Sequence, residues 1–211
     1  MMTSRLRIVF FGTPDFAEAS LRALAASNHE VVGVVTAPDR KAGRGQQLQA
    51  CQVKEAALEL DLPIAQPEKL RAPEFLDQLK RWNADLFAVV AFRMLPEVVW
   101  SMPPMGTVNV HGSLLPDFRG AAPIQHAIAA GVERTGVTSF FITRDIDTGG
   151  LLLQRSTPVT PQDTAGSVYG RLMEEGSGLM VDTADALADG PLQGVPQDQL
   201  LRGDERDAPK L

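Results

Sequence analysis

Cysteine is nearly absent from this sequence, which contains Cys51 and no other. A single cysteine excludes an internal disulfide and also a zinc site built from several thiolates. It fits a protein that works in a reducing compartment such as the cytoplasm.

An excess of basic residues is missing as well. The chain has 20 lysines and arginines against 26 aspartates and glutamates, which gives a formal net charge of -6. This balance excludes a general electrostatic attraction to nucleic acid. Any contact with a polynucleotide must therefore be made by a local group of basic side chains.

Long hydrophobic runs are absent from the amino-terminal part of the chain. The apolar run at residues 6–11 stops at Gly12, Thr13 and Pro14. That run is too short for a secretory signal and far too short to cross a bilayer. We therefore expect a cytoplasmic protein that does not associate with a membrane.

The glycine-rich motifs that bind phosphates are also missing. The loop after the first predicted strand begins Gly12-Thr13-Pro14-Asp15-Phe16, which lacks the G-x-G-x-x-G pattern of dinucleotide-binding proteins. No G-x-x-x-x-G-K-[ST] loop occurs in the sequence. A nicotinamide-linked oxidoreductase and a nucleoside triphosphatase thus lose their main support, and Gly12 is most simply part of a tight strand-to-helix turn.

What the sequence does contain is an alternation of buried strands and amphipathic helices. Strands are predicted at residues 6–11, 30–36, 85–91 and 106–111, and helices at 13–26, 53–60, 73–82, 122–130 and 165–187. Two further extended segments, 136–142 and 151–158, suggest a hairpin or an antiparallel addition. This order predicts an α/β fold, a Rossmann-like, doubly wound and mostly parallel sheet, as a single domain over residues 1–190.

Polar side chains occur at the end of the strand at residues 106–111. Ligands of such sheets bind outside the carboxyl ends of the strands. Asn109 and His111 are two residues apart there, so their side chains project from the same face. A lone histidine at a strand end is as often structural as catalytic. The asparagine beside it favours a site that donates hydrogen bonds to a developing oxyanion and moves a proton.

A second polar cluster follows in the turn from Asp145 to Gly150. Aspartate and glycine are ordinary turn residues, so the segment could be structural only. A divalent metal site is disfavoured because no further ligand cluster accompanies Asp145 and Asp147. A carboxylate partner for His111, which would bias the imidazole toward its charged form, is the better interpretation.

These two clusters together resemble a known family. The run Asn109-Val110-His111-Gly112-Ser113-Leu114-Leu115-Pro116, followed downstream by Asp147-Thr148-Gly149, is similar to the signature of the 10-formyltetrahydrofolate-dependent formyltransferases. The resemblance implies transfer of a formyl group from the folate to an amine, without a metal. It further implies that Asn109 and His111 stabilise the oxyanion, and that Asp147 tunes His111 and helps to take the proton from the amine.

The same resemblance implies a folate site. Ser113, Leu114, Leu115 and Pro116 would line the folate path, and Val90, Ala91 and Phe92 would flank a pterin pocket together with the segment from Asp145 to Asp147. The family usually has a Tyr-Gly pair after the strand that ends near Ala91. This chain has Ala91-Phe92-Arg93 instead, one residue shorter, so the shape of the pocket is left open.

Three further segments, residues 11–17, 38–45 and 119–125, are similar to the branch of the family that formylates initiator methionyl-tRNA for translation initiation. In that branch the loop carrying Arg40, Lys41 and Arg44 reaches the tRNA. Basic side chains on a glycine-containing loop can meet phosphates on an acidic protein, although without the resemblance a solvated charged loop would be the simpler interpretation.

The end of the sequence differs in character from the rest. Residues 191–211 combine glycine, proline and mixed charges without apolar periodicity, which is typical of a linker. Because members of this branch continue into a small C-terminal β-barrel, the resemblance implies that the linker leads toward such a domain. No obligate protein partner is implied.

Two alternatives stay open at this point. A formyltransferase acting on glycinamide ribonucleotide or on an amino sugar shares the central motifs, and the chain length favours the first of these. The loops at residues 40–45 and 119–125 favour methionyl-tRNA as the acceptor of the formyl group. A folate- or nucleotide-binding module without catalysis is less favoured, because Asn109, His111 and Asp147 are all present.

Overall fold

Strand β1 (Arg7–Gly12) lies between two parallel neighbours, β2 (Glu30–Val35) and β6 (Leu86–Val90). Its apolar residues from Ile8 to Phe11 are fully buried. This agrees with the rule that strands covered on both faces consist of nearly continuous β-branched and aromatic residues. The computed structural model describes residues 5–42 and 47–210.

The chain divides into two compact units, one ending at Thr107 and the other beginning at Val108. Besides the three strands named above, the first unit contains short strands and helices. These are α1 (Asp15–Ala26), β3 (Arg40–Ala42), β4 (Gln47–Gln49), α2 (Gln52–Glu59), β5 (Ile64–Ala65), α3 (Pro73–Trp82) and α4 (Glu97–Trp100).

The second unit contains β7 (Thr107–His111) from Val108 onward, α5 (Pro123–Ala129), β8 (Arg134–Phe141), β9 (Leu151–Pro158), α6 (Ala165–Asp189) and a 3-10 turn (Gln197–Leu200). Strand β7 pairs antiparallel with β8, and β8 in turn pairs antiparallel with β9. The predicted antiparallel hairpin at residues 136–142 and 151–158 is therefore confirmed.

Over the described residues, the main sheet has seven strands in the order β5-β2-β1-β6-β7-β8-β9. The pairs formed by β5, β2, β1 and β6 are parallel, and the two pairs that involve β8 are antiparallel. The predicted α/β class with a mostly parallel, Rossmann-like sheet is confirmed.

One element was not predicted from the sequence. Where a long loop was expected, β3 and β4 form a two-stranded antiparallel ribbon in which Arg40 is opposite Gln49. Strands of three residues are too short to show a hydrophobic period, and the backbone pairing alone defines them. Residues 43–46 between them lie outside the described part of the chain.

Helix α6 begins at a capping box. The Thr164 side chain accepts a hydrogen bond from the Ser167 amide, and the Ser167 hydroxyl lies 3.0 Å from the Thr164 amide, so two unpaired helix donors are satisfied. Asp163 precedes the cap and binds the Arg171 guanidinium, which holds the pKa of that carboxyl far below its usual range. The start of the helix is thereby defined by side-chain chemistry readable in the sequence.

The segment after α6 was predicted to be a linker, and its described residues pack on the second unit. Val195 exchanges two backbone hydrogen bonds of 2.8 Å with Leu151, Gln197 is 3% exposed and Ala208 is fully buried. We call residues 195–208 the closing segment. Its hydrogen bonds to the rest of the unit come from backbone groups and from the side chains of Gln197 and Arg202, and they leave no periodic pattern in the sequence. That the chain leads toward a further domain stays a prediction.

None of the helices in the described part of the chain is long and apolar enough to cross a membrane.

The packing of Gly33 on β2 gives a test of the core. A Cβ atom at this position would overlap the indole of Trp82, which is 8% exposed. We expect Gly33→Ala to lower the free energy of unfolding in urea by about 1–3 kcal/mol, because the buried ring must move.

The matched control is Gly170→Ala on α6, where an added Cβ would meet nothing within 4 Å. Alanine has the higher helix propensity, so this variant should be equally stable or more stable by about 0.5–1 kcal/mol. A Gly33→Ala chain as stable as the parent would contradict the packing described here.

Candidate active site

The polar end of β7 lies on one face of the strand. Val108 and Val110 are buried on one side, whereas Asn109 and His111 project from the other. Pairing with β8 places Asn109 opposite Phe140 and His111 opposite Thr138. The strand thus presents an amide and an imidazole side by side, as the spacing predicts.

His111 has a fixed ring orientation. Its Nε2 lies 2.8 Å from the carbonyl oxygen of Phe118, and the side chain is 7% exposed. Because a carbonyl oxygen can only accept, Nε2 must carry a hydrogen. The other ring nitrogen, Nδ1, then faces the Asp147 Oδ2 at 3.6 Å.

Asp147 is held in place by the opposite loop. Its Oδ2 accepts a hydrogen bond of 2.9 Å from the Gly120 amide. The backbone of Asp147 is left-handed, with φ at 54°, a conformation that aspartate tolerates better than most residues. The side chain is 14% exposed, so the carboxylate can still be reached by a ligand.

Asn109 has an unsatisfied polar atom. Its Oδ1 is buried and has no hydrogen-bond partner among the described residues. A buried amide oxygen without a partner costs about 1–3 kcal/mol. The side chain as a whole is only half-buried.

The structure therefore brings His111 and Asp147 together, with Asn109 two residues before His111 on the same strand face. An amide donor, an imidazole and a carboxylate in this arrangement can stabilise negative charge on an oxygen and accept a proton from a nearby nitrogen. Within the described residues, no group of three or more histidine, cysteine, aspartate or glutamate side chains could hold a metal ion.

The residues after His111 support the loop from inside. The Ser113 hydroxyl donates to the carbonyl oxygen of Asp117 at 2.6 Å, and the Leu115 amide donates to the Thr138 hydroxyl at 3.1 Å. Ser113, Leu115 and Pro116 are buried, whereas Leu114 is only partly so. That these four residues line a folate path stays a prediction, and Leu114 has the most surface to offer.

The end of β6 has a sharp turn. Val90 is buried, and Ala91 is exposed and has a left-handed backbone with φ at 45°. The Phe92 ring contacts the Phe11 ring edge-on, with 5.8 Å between the two ring centroids. The left-handed turn occurs where the sequence is one residue shorter than the family pattern. The predicted role of residues 90–92 beside a pterin pocket stays a prediction, as does that of the exposed Asp145.

The predicted tRNA contacts begin at the ribbon of β3 and β4. Arg40 is exposed and Lys41 lies in β3, whereas Arg44 falls outside the described residues. The preceding residue, Asp39, accepts hydrogen bonds from Gln66 at 2.8 Å and from Lys54. The hydrogen bond from Gln66 holds the pKa of Asp39 below its ordinary value, and the hydrogen bond from Lys54 contributes the next largest effect. This anchor fixes the start of the ribbon.

Sequence reasoning missed one residue that contacts the site. Gln197 in the closing segment donates from Nε2 to the carbonyl oxygens of Asp147 and Gly149, both at 2.8 Å. Its Oε1 accepts from the Arg119 guanidinium at 2.6 and 3.0 Å. No motif or periodicity in the sequence marks this glutamine.

The hydrogen bond of His111 predicts its tautomer. In long-range proton–nitrogen spectra of the nitrogen-15-labelled chain, we expect the neutral ring of His111 to carry its proton at Nε2, because Phe118 offers only an acceptor there. Replacement of His111 by glutamine would identify the signals. A neutral ring protonated mainly at Nδ1 would refute this orientation.

Comparison with known proteins gives a consistent answer. The family model described as formyl transferase matches residues 6–184. The chain is 48% identical over its whole length to a curated protein of Bacteroides fragilis named methionyl-tRNA formyltransferase, of which it covers 65%. It is 49% identical to the protein of the same name from Parabacteroides distasonis, covering 100% of this chain and 66% of that protein.

The chain thus spans slightly less than two thirds of the length of these curated relatives. Among solved structures, it is similar to glycinamide ribonucleotide transformylase 1 from Symbiobacterium toebii, with a TM-score of 0.75 and 20% identity over 90% of this chain and 94% of that one. At this identity the likeness concerns the fold alone.

Proposed function

Because this chain belongs to the formyl transferase family, we propose that it transfers the formyl group of 10-formyltetrahydrofolate to the amino group of methionyl-tRNA. The observation that carries the chemical part is the His111–Asp147 pair, with Asn109 two residues before His111 on the same face of β7. The acceptor is supported by 48% identity to relatives named methionyl-tRNA formyltransferase. Such a role in translation initiation would place the protein in the cytoplasm.

The reaction joins the amine nitrogen to the formyl carbon and breaks the bond between that carbon and N10 of the folate. The folate supplies the formyl group. One proton leaves the attacking amine and one is gained by N10, so the protein must stabilise an oxyanion and move a proton.

Asn109 and His111 fit the first task. The amide of Asn109 has a donor end, its Nδ2–H group, for the oxyanion. His111 projects from the same strand face and has its Nδ1 turned toward Asp147. A single preorganised donor of this kind is worth about 3 kcal/mol in the transition state.

His111 and Asp147 fit the second task. Nε2 of His111 is occupied by the Phe118 carbonyl, so Nδ1 is the ring atom that can hold or release a proton. Asp147 Oδ2, 3.6 Å away, stabilises the charged ring, and its partial exposure lets the carboxylate accept a proton from the amine.

The proposed contacts with the tRNA lie in the first unit. Net charge is unfavourable for binding a tRNA, so local cations must make the contact. Arg40 is exposed at the start of β3, directly after the anchored Asp39. We propose that Arg44 contacts the tRNA as well.

Removal of either acid–base group should stop transfer without unfolding the chain. We expect His111→Ala and Asp147→Asn each to lower the single-turnover transfer rate by about 10²- to 10⁴-fold. Asparagine keeps an acceptor for the Gly120 amide, so Asp147→Asn tests the charge rather than the loop.

The control is His126→Ala, a part-exposed histidine on α5, which should transfer at the parental rate. Circular dichroism and the melting temperature would verify folding of each variant. A near-normal rate in His111→Ala or Asp147→Asn would remove that residue from the mechanism.

The identity of the amine can be tested directly. With 10-formyltetrahydrofolate as donor, we expect formylation of methionyl-tRNA and neither of glycinamide ribonucleotide nor of an amino sugar. Turnover of a small amine but not of methionyl-tRNA would overturn the proposed acceptor while leaving formyl transfer intact.

Arg40 should act on the tRNA and not on the folate. We expect Arg40→Ala to raise the KM for methionyl-tRNA and to reduce the slope of log KM against log salt by about 1, as loss of one phosphate contact would. The matched control is Arg81→Ala, an exposed arginine on α3 that should change neither quantity. An equal effect of both variants, or a changed KM for the folate, would argue against the assignment.

A further inference from the structure

We propose that Gln197 is a positioning residue for formyl transfer. Together with Arg119 it holds the loop that contains Phe118 and the loop that contains Asp147, and so sets the geometry of His111. The closing segment is then part of the active site. The expected effect of Gln197 on the transfer rate rests on the proposed function, whereas its expected effect on the orientation of His111 does not.

The hydrogen bonds of Gln197 are complete and have one possible orientation. Its Nε2 donates to the carbonyl oxygens of Asp147 and Gly149, and its Oε1 accepts twice from the Arg119 guanidinium. A guanidinium can only donate and a carbonyl can only accept, so a flipped amide would lose all four bonds. The side chain is 3% exposed, which strengthens such bonds.

The two loops need this support because each contains a left-handed residue that is not glycine. Phe118 has φ at 58° and Asp147 has φ at 54°. Such a conformation costs roughly 1–2 kcal/mol for an ordinary residue and persists only where the surroundings hold it. These are the residues that contact His111, one through its carbonyl oxygen and the other through its carboxylate.

The closing segment holds the Phe118 loop by its backbone. The Phe118 amide donates to the carbonyl oxygen of Arg206 at 2.6 Å, and the Ala208 amide donates to that of Arg119 at 2.7 Å. A Cβ atom on Gly120, where φ is 121°, would lie 2.5 Å from the Ala208 carbonyl oxygen. The loop is therefore fitted closely against the segment, and the Phe118 carbonyl is aimed at His111 from that position.

The closing segment therefore acts on His111 from two sides. Arg206 and Ala208 fix the loop whose carbonyl binds Nε2, and Gln197 fixes the loop whose carboxylate faces Nδ1. Arg119 connects the two, since its backbone belongs to the first loop and its guanidinium binds Gln197. A shift in either loop would move a partner of the imidazole.

Only glutamine can make this set of bonds. In Gln197→Glu, one oxygen still accepts from Arg119, but the other faces the carbonyl oxygens of Asp147 and Gly149, so both donated bonds become repulsive contacts. In Gln197→Ala all four bonds are lost. In Arg119→Met the two bonds to the Asp147 loop remain.

The experiment measures single-turnover formyl transfer to methionyl-tRNA by the full chain and these three variants. We expect Gln197→Ala and Gln197→Glu to lower the maximal rate by about 10- to 100-fold, as small misplacements of reacting groups do. The KM values for the tRNA and the folate should change little. Arg119→Met should lower the maximal rate by a smaller factor than either Gln197 variant.

The matched control is Gln199→Ala, the exposed glutamine of the same 3-10 turn, which should keep the parental rate. Full activity of folded Gln197→Ala would overturn the proposal. So would full activity of Gln197→Glu, because it would show that pairing with Arg119 suffices. A fall confined to either KM would also overturn it.

A second measurement does not need the reaction. In proton–nitrogen spectra we expect Gln197→Ala to shift the Nδ1 resonance of His111, the ring atom that faces Asp147, and hydrogen exchange of the Gly120 amide, which donates to Asp147 Oδ2, to accelerate. A purely structural role would lower the melting temperature and leave both signals unchanged, which would refute positioning. Inactivity of the parent chain toward every amine would instead refute the proposed function, while these signals would still decide the role of Gln197.

Discussion

The site depends on the hydrogen bond between His111 Nε2 and the carbonyl oxygen of Phe118. A carbonyl has no proton to give, so this single contact decides which ring nitrogen is free for chemistry and which direction it faces. Asp147 can act on the imidazole only because Nδ1 is the atom turned toward it. The same constraint makes the backbone of a loop, and not a side chain, the element that determines the tautomer.

Much of this could be predicted from the sequence. Asn109 and His111 share a face because alternate residues of a strand do, and the carboxyl ends of strands are where ligands bind. The boundaries of β1, α3, β7 and α6 agree within a few residues with their apolar patterns and capping residues. The roles of Asn109, His111 and Asp147 are predictions from a resemblance, and the structure supplies distances and partners for His111 and Asp147.

Three other features could not be predicted, and the physical reason differs from one feature to the next. The ribbon of β3 and β4 consists of three-residue strands, which have no period to detect. The closing segment is held by backbone hydrogen bonds, one buried amide and the ion pair of Arg202 with Asp117, and backbone groups are the same in every sequence. The left-handed conformations of Phe118 and Asp147 follow from that packing and not from local preference, least of all for phenylalanine.

His111 is oriented by the Phe118 loop, and that loop is held by Arg206. The order in which the chain is synthesised therefore determines when the imidazole is oriented. Strand β7 and the Asp147 turn are made before the closing segment during synthesis, so a nascent chain that has not reached residue 208 has Asn109, His111 and Asp147 but not the backbone that orients the imidazole. Its left-handed loops lack their support over that interval. The partners of His111 are therefore brought into place only after the closing segment has packed on the Phe118 loop.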